Sequence, residues 1–242
     1  MPCARLAISQ CPISSSLLHL KCSLVTAVKT IKLQSVLPRI FADRKSDISS
    51  DIWLRDLTFE RGRSYLIEAD SGKGKSSLCS YLYGQRNDYE GAILFDDSDI
   101  CGLSLDEWSA IRQRSISILF QDLKLFGELT ALENVEIKSQ ITHFSDRATI
   151  ERRFEELGIA DKLNTRIDRL SFGQQQRVAL IRALCQPIDF LMLDEPISHL
   201  DERNSATMRD MILEEQRHQG FGIIATSIGR HIDMNYDKVL KL

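Results

Sequence analysis

A glycine-rich loop holding a lysine and several serines is the first feature of this sequence that could carry chemistry. The apolar run Tyr65–Ala69 leads into it, and a helical pattern with Leu78 and Leu82 follows. Glycines let successive backbone N–H groups face one anion, and the helix N-terminus adds its positive dipole end. At these offsets, Lys75 reaches the β and γ phosphates of a nucleotide and Ser76 ligates magnesium. The predicted phosphate-binding residues are Asp70, Ser71, Gly72, Lys73, Gly74, Lys75, Ser76 and Ser77.

Two acidic residues end a short apolar run much farther along the chain. Asp194 and Glu195 directly follow the strand-like segment Phe190–Leu193. In proteins with a phosphate-binding loop, a carboxylate at such a strand end lies near the magnesium ion. The next carboxylate is close enough to polarise an attacking water. We therefore predict Asp194 as a metal-site residue and Glu195 as the general base.

A third motif separates this chain from other proteins with a phosphate-binding loop. Residues 170–177 read Leu-Ser-Phe-Gly-Gln-Gln-Gln-Arg and open a helical pattern. This motif resembles the signature of the ATP-binding cassette (ABC) family. The resemblance covers residues 30–242, and its elements occur in the family's order: phosphate loop, Gln121, signature, acidic strand end and Ser198–Asp201. The intervals are those of transporter-type cassettes, without the long coiled coil of DNA-repair and chromosome-organising relatives.

The resemblance implies a set of ligands and roles. Two cassettes, a homodimer or a paired cassette, would close head to tail on two ATP molecules with Mg²⁺. Each γ-phosphate would then meet the phosphate loop of one subunit and the signature of the other, represented here by Ser171, Gly173 and Gln174. Gln121 would contact magnesium and the attacking water and sense a membrane partner. Asp201 would cross the dimer interface.

The sequence also departs from the family's pattern. Ala69 stands where the first loop glycine is usual, which a negative φ would tolerate, and Phe172 replaces a common glycine of the signature. Ser227 occupies the position of the histidine that contacts the γ-phosphate; it is shorter and cannot be cationic, so we expect slow hydrolysis. His231 could compensate, although a surface histidine is the plainer interpretation.

Two aromatic residues compete for the role of stacking on adenine. Trp53 lies in the apolar segment Ile52-Trp53-Leu54, which favours a place in the core. Phe41 is therefore our prediction for the stacking residue.

The segment after Gln121 resembles the lipoprotein-releasing, macrolide-exporting and cell-division ATPases. Its apolar residues either line a groove for a helix of a membrane permease or fill the core of a helical subdomain, and both interpretations stay open. These residues are Leu123, Leu125, Phe126 and Leu129.

The elements that must position these residues follow from hydrophobic periodicity. Apolar strand-like runs alternate with helical patterns, which predicts an α/β fold with a mainly parallel sheet covered by helices. Residues 122–175 have helix-like segments and few strand signals, as expected of an inserted helical subdomain. The resemblance adds the fold class, a P-loop NTPase with a further antiparallel β part.

Composition limits the classes of partner. The 242 residues carry 31 basic and 34 acidic side chains, so the net charge is −3 and gives no basic footprint for nucleic acid. No run approaches the roughly 20 apolar residues that span a bilayer. Residues 1–29 are basic and hold three of the six cysteines. We interpret them as a disordered or over-predicted extension rather than a targeting segment, and residues 30–242 as one ABC domain.

Three functions remain in competition. The first is a cytoplasmic ATPase subunit, peripheral on the inner face of the cell membrane, that drives a separately encoded permease or extractor. The second is an ABC ATPase that regulates a membrane-bound partner without moving cargo. The third is an ATP-binding switch with little or no hydrolysis, suggested by Ala69 and Ser227.

Overall fold

A computed structural model describes residues 27–197 and 201–242 of the chain. The predicted N-terminal extension lies outside the described residues except for 27–29, and so do residues 198–200 of the segment before Asp201. Just ahead of the first strand, Val28 is buried and its N–H donates to the Asp189 carboxylate at 2.9 Å.

The described strands fall into two sheets. In chain order they are β1 (Thr30–Pro38), β2 (Leu57–Glu60), β3 (Ser64–Glu68), β4 (Tyr89–Phe95), β5 (Ser98–Asp99), β6 (Ile116–Leu119), β7 (Phe190–Asp194), β8 (Gly222–Ser227) and β9 (Lys238–Lys241). A parallel sheet has the order β6-β7-β8-β3-β9, and an antiparallel sheet has the order β2-β1-β4-β5. The predicted fold class, a parallel core with an antiparallel part, is confirmed.

Six α-helices lie in the described residues, and they cover the sheet or form the insertion. They are α1 (Lys75–Leu82), α2 (Leu105–Arg114), α3 (Ala131–Thr142), α4 (Arg147–Glu156), α5 (Phe172–Ala183) and α6 (Glu202–Gln219). Helices α3 and α4 lie between β6 and α5, where the sequence predicts the helical insertion. A short 3-10 helix, Arg39–Asp47, follows β1.

The core lies on both faces of the parallel sheet. Along β7, Leu191 and Leu193 join the cluster on the side of the helical insertion, whereas Phe190 and Met192 join the cluster beneath the antiparallel sheet. A strand buried on both faces is expected to be apolar throughout, as this one is until it reaches Asp194. The sheet therefore delivers the two acidic residues from a rigid, fully packed strand.

Strand β2 and helix α2 are among the elements that were not predicted from the sequence, although each has a local signal. Strand β2 has the alternating pattern Leu-Thr-Phe-Glu, with alternate residues buried. Helix α2 begins with a capping box, in which Ser104 and Glu107 bond each other's backbone N–H groups. Both signals are short and were outweighed by the surrounding polar residues.

Candidate functional site

The glycine-rich loop links the end of β3 to the N-terminus of α1. Gly72 and Gly74 have φ of 80° and 100°, values that a residue with a side chain adopts only with strain. A Cβ on Gly74 would also lie 3.1 Å from the Trp53 ring and 3.2 Å from the Phe41 ring. Ala69 is not in the left-handed region, so its methyl group causes no backbone strain. The loop keeps the two glycines that its curvature requires.

Lys75 is folded back over this loop. Its side chain is only 4% exposed, and its ammonium donates to the carbonyls of Ala69 at 2.9 Å and Asp70 at 3.0 Å. The same ammonium lies 3.7 Å from a carboxylate oxygen of Glu195. These contacts satisfy a buried cation without a nucleotide, and they place it where phosphate oxygens would replace them.

The acidic strand end is tied to the neighbouring strand by one threonine. Thr226 lies opposite Asp194 in the parallel pairing of β8 with β7. Its hydroxyl donates to Asp194 Oδ1 at 2.7 Å and accepts the backbone N–H of Glu195 at 3.2 Å. Both Thr226 and Asp194 are buried. One hydroxyl group thus fixes both predicted acids.

Glu195 turns away from the sheet toward the phosphate loop. Its φ is 51°, a left-handed conformation that is uncommon outside glycine, asparagine and aspartate. Its carboxylate contacts Lys75 through one oxygen and accepts from Gln121 Nε2 at 3.2 Å through the other. Three predicted residues that are far apart in sequence therefore meet at one point.

One cavity reaches this point, and a second shares Phe41, Ser71 and Gly72 with the wall of the first. One, of about 290 Å³, is lined by residues of the phosphate loop together with Gln121 and Glu195. The other, of about 390 Å³, is lined by Phe41, Trp53, Ser71 and Gly72 among others. Phe41 borders both cavities, whereas Trp53 is 3% exposed and donates its indole N–H to the Lys73 carbonyl at 3.1 Å. Trp53 is therefore part of the core, as the sequence suggested, and also a wall of the second cavity.

Oxygen donors of the kind that Mg²⁺ prefers lie at this site. Ser76, with its hydroxyl, and Gln121, with its side-chain carbonyl, line the phosphate cavity, and the carboxylate of Asp194 is buried one residue before Glu195. Magnesium sites commonly combine one or two carboxylates with substrate phosphates. No cluster of three or more histidine, cysteine or acidic residues suited to a metal occurs within residues 27–197 and 201–242. The donor set fits a magnesium ion that arrives with the nucleotide.

The cysteine beneath this site is held in its thiol form. Cys79 is buried in α1, and burial raises its pKa well above the usual value, with a further rise from the charges of Asp194 and Glu195. The described cysteines, Cys79, Cys101 and Cys185, are all free thiols.

The signature motif forms the N-terminal cap of α5. The Ser171 hydroxyl accepts the Gln174 N–H at 3.3 Å, and the Gln174 side chain accepts the Ser171 N–H at 2.9 Å. Ser171 is exposed and Gly173 is partly exposed. Because the Ser171 oxygen is the acceptor in the cap, its proton is left to donate to a phosphate. The side chain of Gln174 serves the cap.

Asp201 is the N-cap of α6. It is exposed, and its carboxylate accepts the backbone N–H of Asn204 at 2.8 Å and its side-chain amide at 2.9 Å. These hydrogen bonds lower the pKa of Asp201 below its usual value. The proposed crossing of a dimer interface by Asp201 stays a prediction.

The end of β8 does not turn into the phosphate cavity. Ser227 is fully buried and its hydroxyl donates to the carbonyl of Arg230 at 2.7 Å. The next residue, Ile228, lines the phosphate cavity instead. His231 is exposed, packs its ring edge-on to Tyr236 and lines a different cavity beside α6. Neither residue is brought to Glu195 in this conformation.

The apolar residues after Gln121 divide between core and surface. Leu123 is buried in the core, and Leu125 packs against it, whereas Phe126 is 53% exposed. Leu129 is partly exposed. The core interpretation therefore holds for Leu123 and Leu125, whereas a groove for a permease helix stays a prediction for the exposed residues. No helix in the described part of the chain is long and apolar enough to cross a membrane.

Two residues that shape the site were not singled out from the sequence. Thr226 is one, although a hydroxyl at the end of a strand beside an acidic strand end is a usable signal. Arg182 donates to the carbonyls of Leu123 and Lys124, just after Gln121. An arginine near the C-terminal end of a helix gives no such signal in sequence.

Comparison with known proteins agrees with this geometry. The profile of the family described as ABC transporter matches residues 55–198. The macrolide export ATP-binding/permease protein MacB of Shewanella oneidensis is 30% identical over 193 residues, 77% of this chain and 29% of MacB. The chain thus spans less than a third of the length of the macrolide exporters it matches. The phosphonates import ATP-binding protein PhnC of Rhodopseudomonas palustris is 35% identical over 179 residues, 69% of this chain and 66% of PhnC.

Solved structures give the same result for the fold. The dimeric structure of MJ0796, a bacterial ABC transporter cassette, matches with a TM-score of 0.65 and 26% identity, over 81% of this chain and 87% of that one. A dimeric structure of MJ0796 in a post-hydrolysis state, with ADP and Pi bound, matches with the same TM-score and 25% identity.

Proposed function

The chain belongs to the ABC transporter family, as an ATP-binding cassette, and we propose that it hydrolyses ATP as a dimer to drive a separately encoded membrane permease or extractor. The observation that carries this proposal is the meeting of Lys75, Gln121 and Glu195 on the wall of the phosphate cavity. Three elements distant in sequence converge there. A structural loop would not need this convergence.

The nucleotide would occupy both adjoining cavities. Phosphates in the smaller cavity would receive the backbone N–H groups of the loop and the ammonium of Lys75. The base would lie in the larger cavity, where Phe41 supplies an aromatic face. Mg²⁺ would be held by Ser76, Gln121 and, through water, Asp194, and would neutralise charge on the phosphates.

Glu195 and Gln121 would orient the attacking water. One carboxylate oxygen of Glu195 now lies 3.7 Å from the Lys75 ammonium. Once Lys75 binds phosphate, this oxygen would be free to accept a proton from water. Gln121 holds the other oxygen and restricts the orientation of the carboxylate. Most of the catalysis of phosphoryl transfer comes from such positioning and from charge stabilisation.

Dimerisation would complete the site from the opposite subunit. Ser171 is exposed at the N-terminus of α5 with its proton left to donate, and the Gly173 N–H belongs to the same helix start. A phosphate of the partner's nucleotide fits this helix terminus. ATP binding would then act as a two-state switch between open and closed dimers.

A membrane protein would dock beside the segment that follows Gln121. Phe126 is exposed there, and Leu125 and Leu129 are partly exposed. The chain would therefore be peripheral on the inner face of the membrane. Nucleic acid is not proposed as a partner, because the net charge of −3 provides no attraction for phosphate backbones.

The test combines phosphate release with capture of the closed state. Wild-type protein should release phosphate from Mg-ATP, and Lys75→Ala should lose ATP binding because it removes the cation on the wall of the phosphate cavity. Glu195→Gln should bind ATP, elute as a dimer and retain a membrane protein when purified from solubilised membranes. If purification of Glu195→Gln with ATP yields only a soluble dimer, the proposed permease partner is refuted, whereas the proposed ATP hydrolysis is not affected.

A second candidate is an ATP-dependent switch that hydrolyses little. The burial of Ser227 and its bond to Arg230 favour it, because no γ-phosphate donor then comes from the end of β8. Wild-type protein that binds ATP and dimerises, yet releases no phosphate above the Glu195→Gln level, would select this candidate. The regulatory alternative differs only in the partner, which would be a membrane protein that has no path for cargo.

A further inference from the structure

Arg182, near the C-terminal end of α5, holds the loop that follows Gln121. One guanidinium nitrogen donates to the Leu123 carbonyl at 2.6 Å and another to the Lys124 carbonyl at 2.7 Å. Two donors of one planar group thus bind two successive peptide units. No ion pair to Arg182 is formed by the described carboxylates, so these carbonyl dipoles are its main compensation.

The conformation that Arg182 holds is one the chain does not favour. Leu123 and Lys124 have φ of 58° and 48°, so two successive non-glycine residues are left-handed. Each costs free energy, because Cβ crowds a neighbouring backbone carbonyl. The Leu123 side chain is buried in the core, but Lys124 is exposed and pairs with Asp122 on the surface. Within the loop, the Lys124 N–H also donates to the Asp122 carbonyl at 2.6 Å. Arg182 is the contact that ties this second left-handed residue to α5.

This loop sets the direction of Gln121. The strand β6 ends at Leu119, and only Asp122 separates Gln121 from the first carbonyl that Arg182 binds. The Gln121 amide donates to Glu195 at 3.2 Å. A loop that relaxed at Leu123 and Lys124 would rotate the peptide units next to Gln121 and move its amide away from Glu195.

The opposite end of the same helix carries the signature serine. Ser171 caps α5, and Arg182 lies eleven residues later, which is about 16 Å along the helix at 1.5 Å per residue. A helix of this length moves as one rigid body. A shift of α5 caused by contact of Ser171 with a phosphate across the dimer would therefore also displace the loop after Gln121, with no movement of another element.

We propose that Arg182 is a positioning residue of the ATPase reaction, which locks the loop after Gln121 and couples the position of α5 to the orientation of Gln121 toward Glu195. The inference rests on the proposed ATPase function. It adds to that function a route from the signature motif to the water-orienting residues within one subunit.

Arg182 lies beside a second buried cation, and its two-pronged shape is what a lysine at this position would lack. Lys138 lies nearby, and its ammonium donates to the Ser117 hydroxyl at 3.2 Å. Burial, together with the charge of Arg182, lowers the pKa of Lys138 to about 7. A second compact cation at 182 could reach only one carbonyl at a time, whereas the arginine fork reaches both.

The test replaces Arg182 and measures binding and turnover separately. Arg182→Gln should lower kcat by about 10- to 100-fold, the range seen when a reacting group is misplaced by about 1 Å, with little change in the Kd for ATP. Arg182→Lys should recover part of kcat, because it can still bind one carbonyl. A merely structural role would lower the Tm without this separation of kcat from Kd.

A matched control is available in Arg61. Its side chain also donates to two successive carbonyls, Gln219 at 2.8 Å and Gly220 at 3.2 Å, and it pairs with Asp189 at 2.9 Å. These contacts precede β8, at the end of the parallel strands opposite to Gln121. Arg61→Gln should lower the Tm and leave kcat near the wild-type value. The comparison removes the general effect of losing a bidentate arginine from the result.

Two further variants test whether Arg182 acts through Gln121. In a Gln121→Ala background, Arg182→Gln should cause little additional loss of kcat, since the group being positioned is already absent. Lys124→Gly should restore part of the kcat of Arg182→Gln, because glycine accepts the left-handed conformation without strain. This variant also serves if Arg182→Gln alone folds poorly.

The results that overturn the inference are distinct from those that overturn the ATPase. If wild-type protein hydrolyses ATP and Arg182→Gln keeps its kcat, Arg182 is not a positioning residue. The same conclusion follows if Arg182→Gln costs as much in the Gln121→Ala background as it does alone. If wild-type protein releases no phosphate, the proposed ATPase function itself fails.

Discussion

The ends of β7 and β8 are neighbours in the same sheet and have opposite relations to the site. Asp194 and Thr226 are paired across the two strands, and the next residues are Glu195, just past the end of β7, and Ser227, the last residue of β8. Glu195 turns toward Lys75 and Gln121 on the wall of the phosphate cavity. Ser227 is buried and donates its proton to the Arg230 carbonyl.

The turn after each strand accounts for the difference. After β8, Ile228 bridges to Arg230 around Gly229, whose φ is 77°, and this tight turn brings a carbonyl over the Ser227 hydroxyl. After β7, Glu195 itself is left-handed and its N–H is held by Thr226. The chemistry is therefore concentrated at the end of β7, and β8 contributes through Thr226.

The largest effect should come from Glu195→Gln. Loss of the general base should reduce kcat for ATP hydrolysis by about 10²- to 10⁴-fold, while ATP binding is retained because the phosphate loop is unchanged. Single-turnover phosphate release and a separate binding titration measure the two quantities. If the kcat of Glu195→Gln lies within a few-fold of the wild-type value, another residue is the general base and the two strand ends do not differ in function.

An intermediate effect is expected for Thr226→Val, which is nearly isosteric. It leaves Asp194 Oδ1 without a donor and the Glu195 N–H without an acceptor, so the free energy of unfolding should fall by about 1–3 kcal/mol. The apparent Mg²⁺ affinity in the ATPase assay should weaken as well. Thr226→Ser keeps the hydroxyl group and should restore both quantities; failure of that rescue would attribute the loss to packing alone.

The smallest effect belongs to Ser227→Ala. The hydroxyl serves Arg230, so its removal should cost about 1 kcal/mol of stability and leave kcat within about twofold. Denaturant unfolding and steady-state phosphate release check the two parts. A tenfold fall in kcat would show that Ser227 reaches the nucleotide in the closed dimer and that the two strand ends are functionally alike.

Much of the fold and the phosphate site could be predicted from the sequence because their determinants are local. The residues that bind phosphate are consecutive between Asp70 and Ser77, and their direction is set by two glycines and by the start of α1. The determinants of the acidic strand end are local as well, because the two acids directly follow the apolar run of β7. Alternation of strand and helix was sufficient to indicate a parallel sheet.

The environment of single side chains was harder to predict where an apolar residue could lie either in the core or on the surface of a cavity or groove. Phe126 and Leu123 are three residues apart in the same segment, yet one is half exposed and the other is buried. Trp53 is both a core residue and a cavity wall, because the phosphate loop packs directly on its ring. Neither distinction is encoded in a periodic pattern.

The sequence by itself determined which chemical groups this protein has for binding a nucleotide: the loop with Lys75, the acids after β7 and the signature serine. Tertiary structure decided which of the remaining groups can reach them. It turned Ser227 toward Arg230, joined Thr226 to both acids and placed Arg182 on the loop after Gln121. The contacts of Thr226 and Arg182 join segments 30 to 60 residues apart, and such contacts exist only once the strands and α5 have packed.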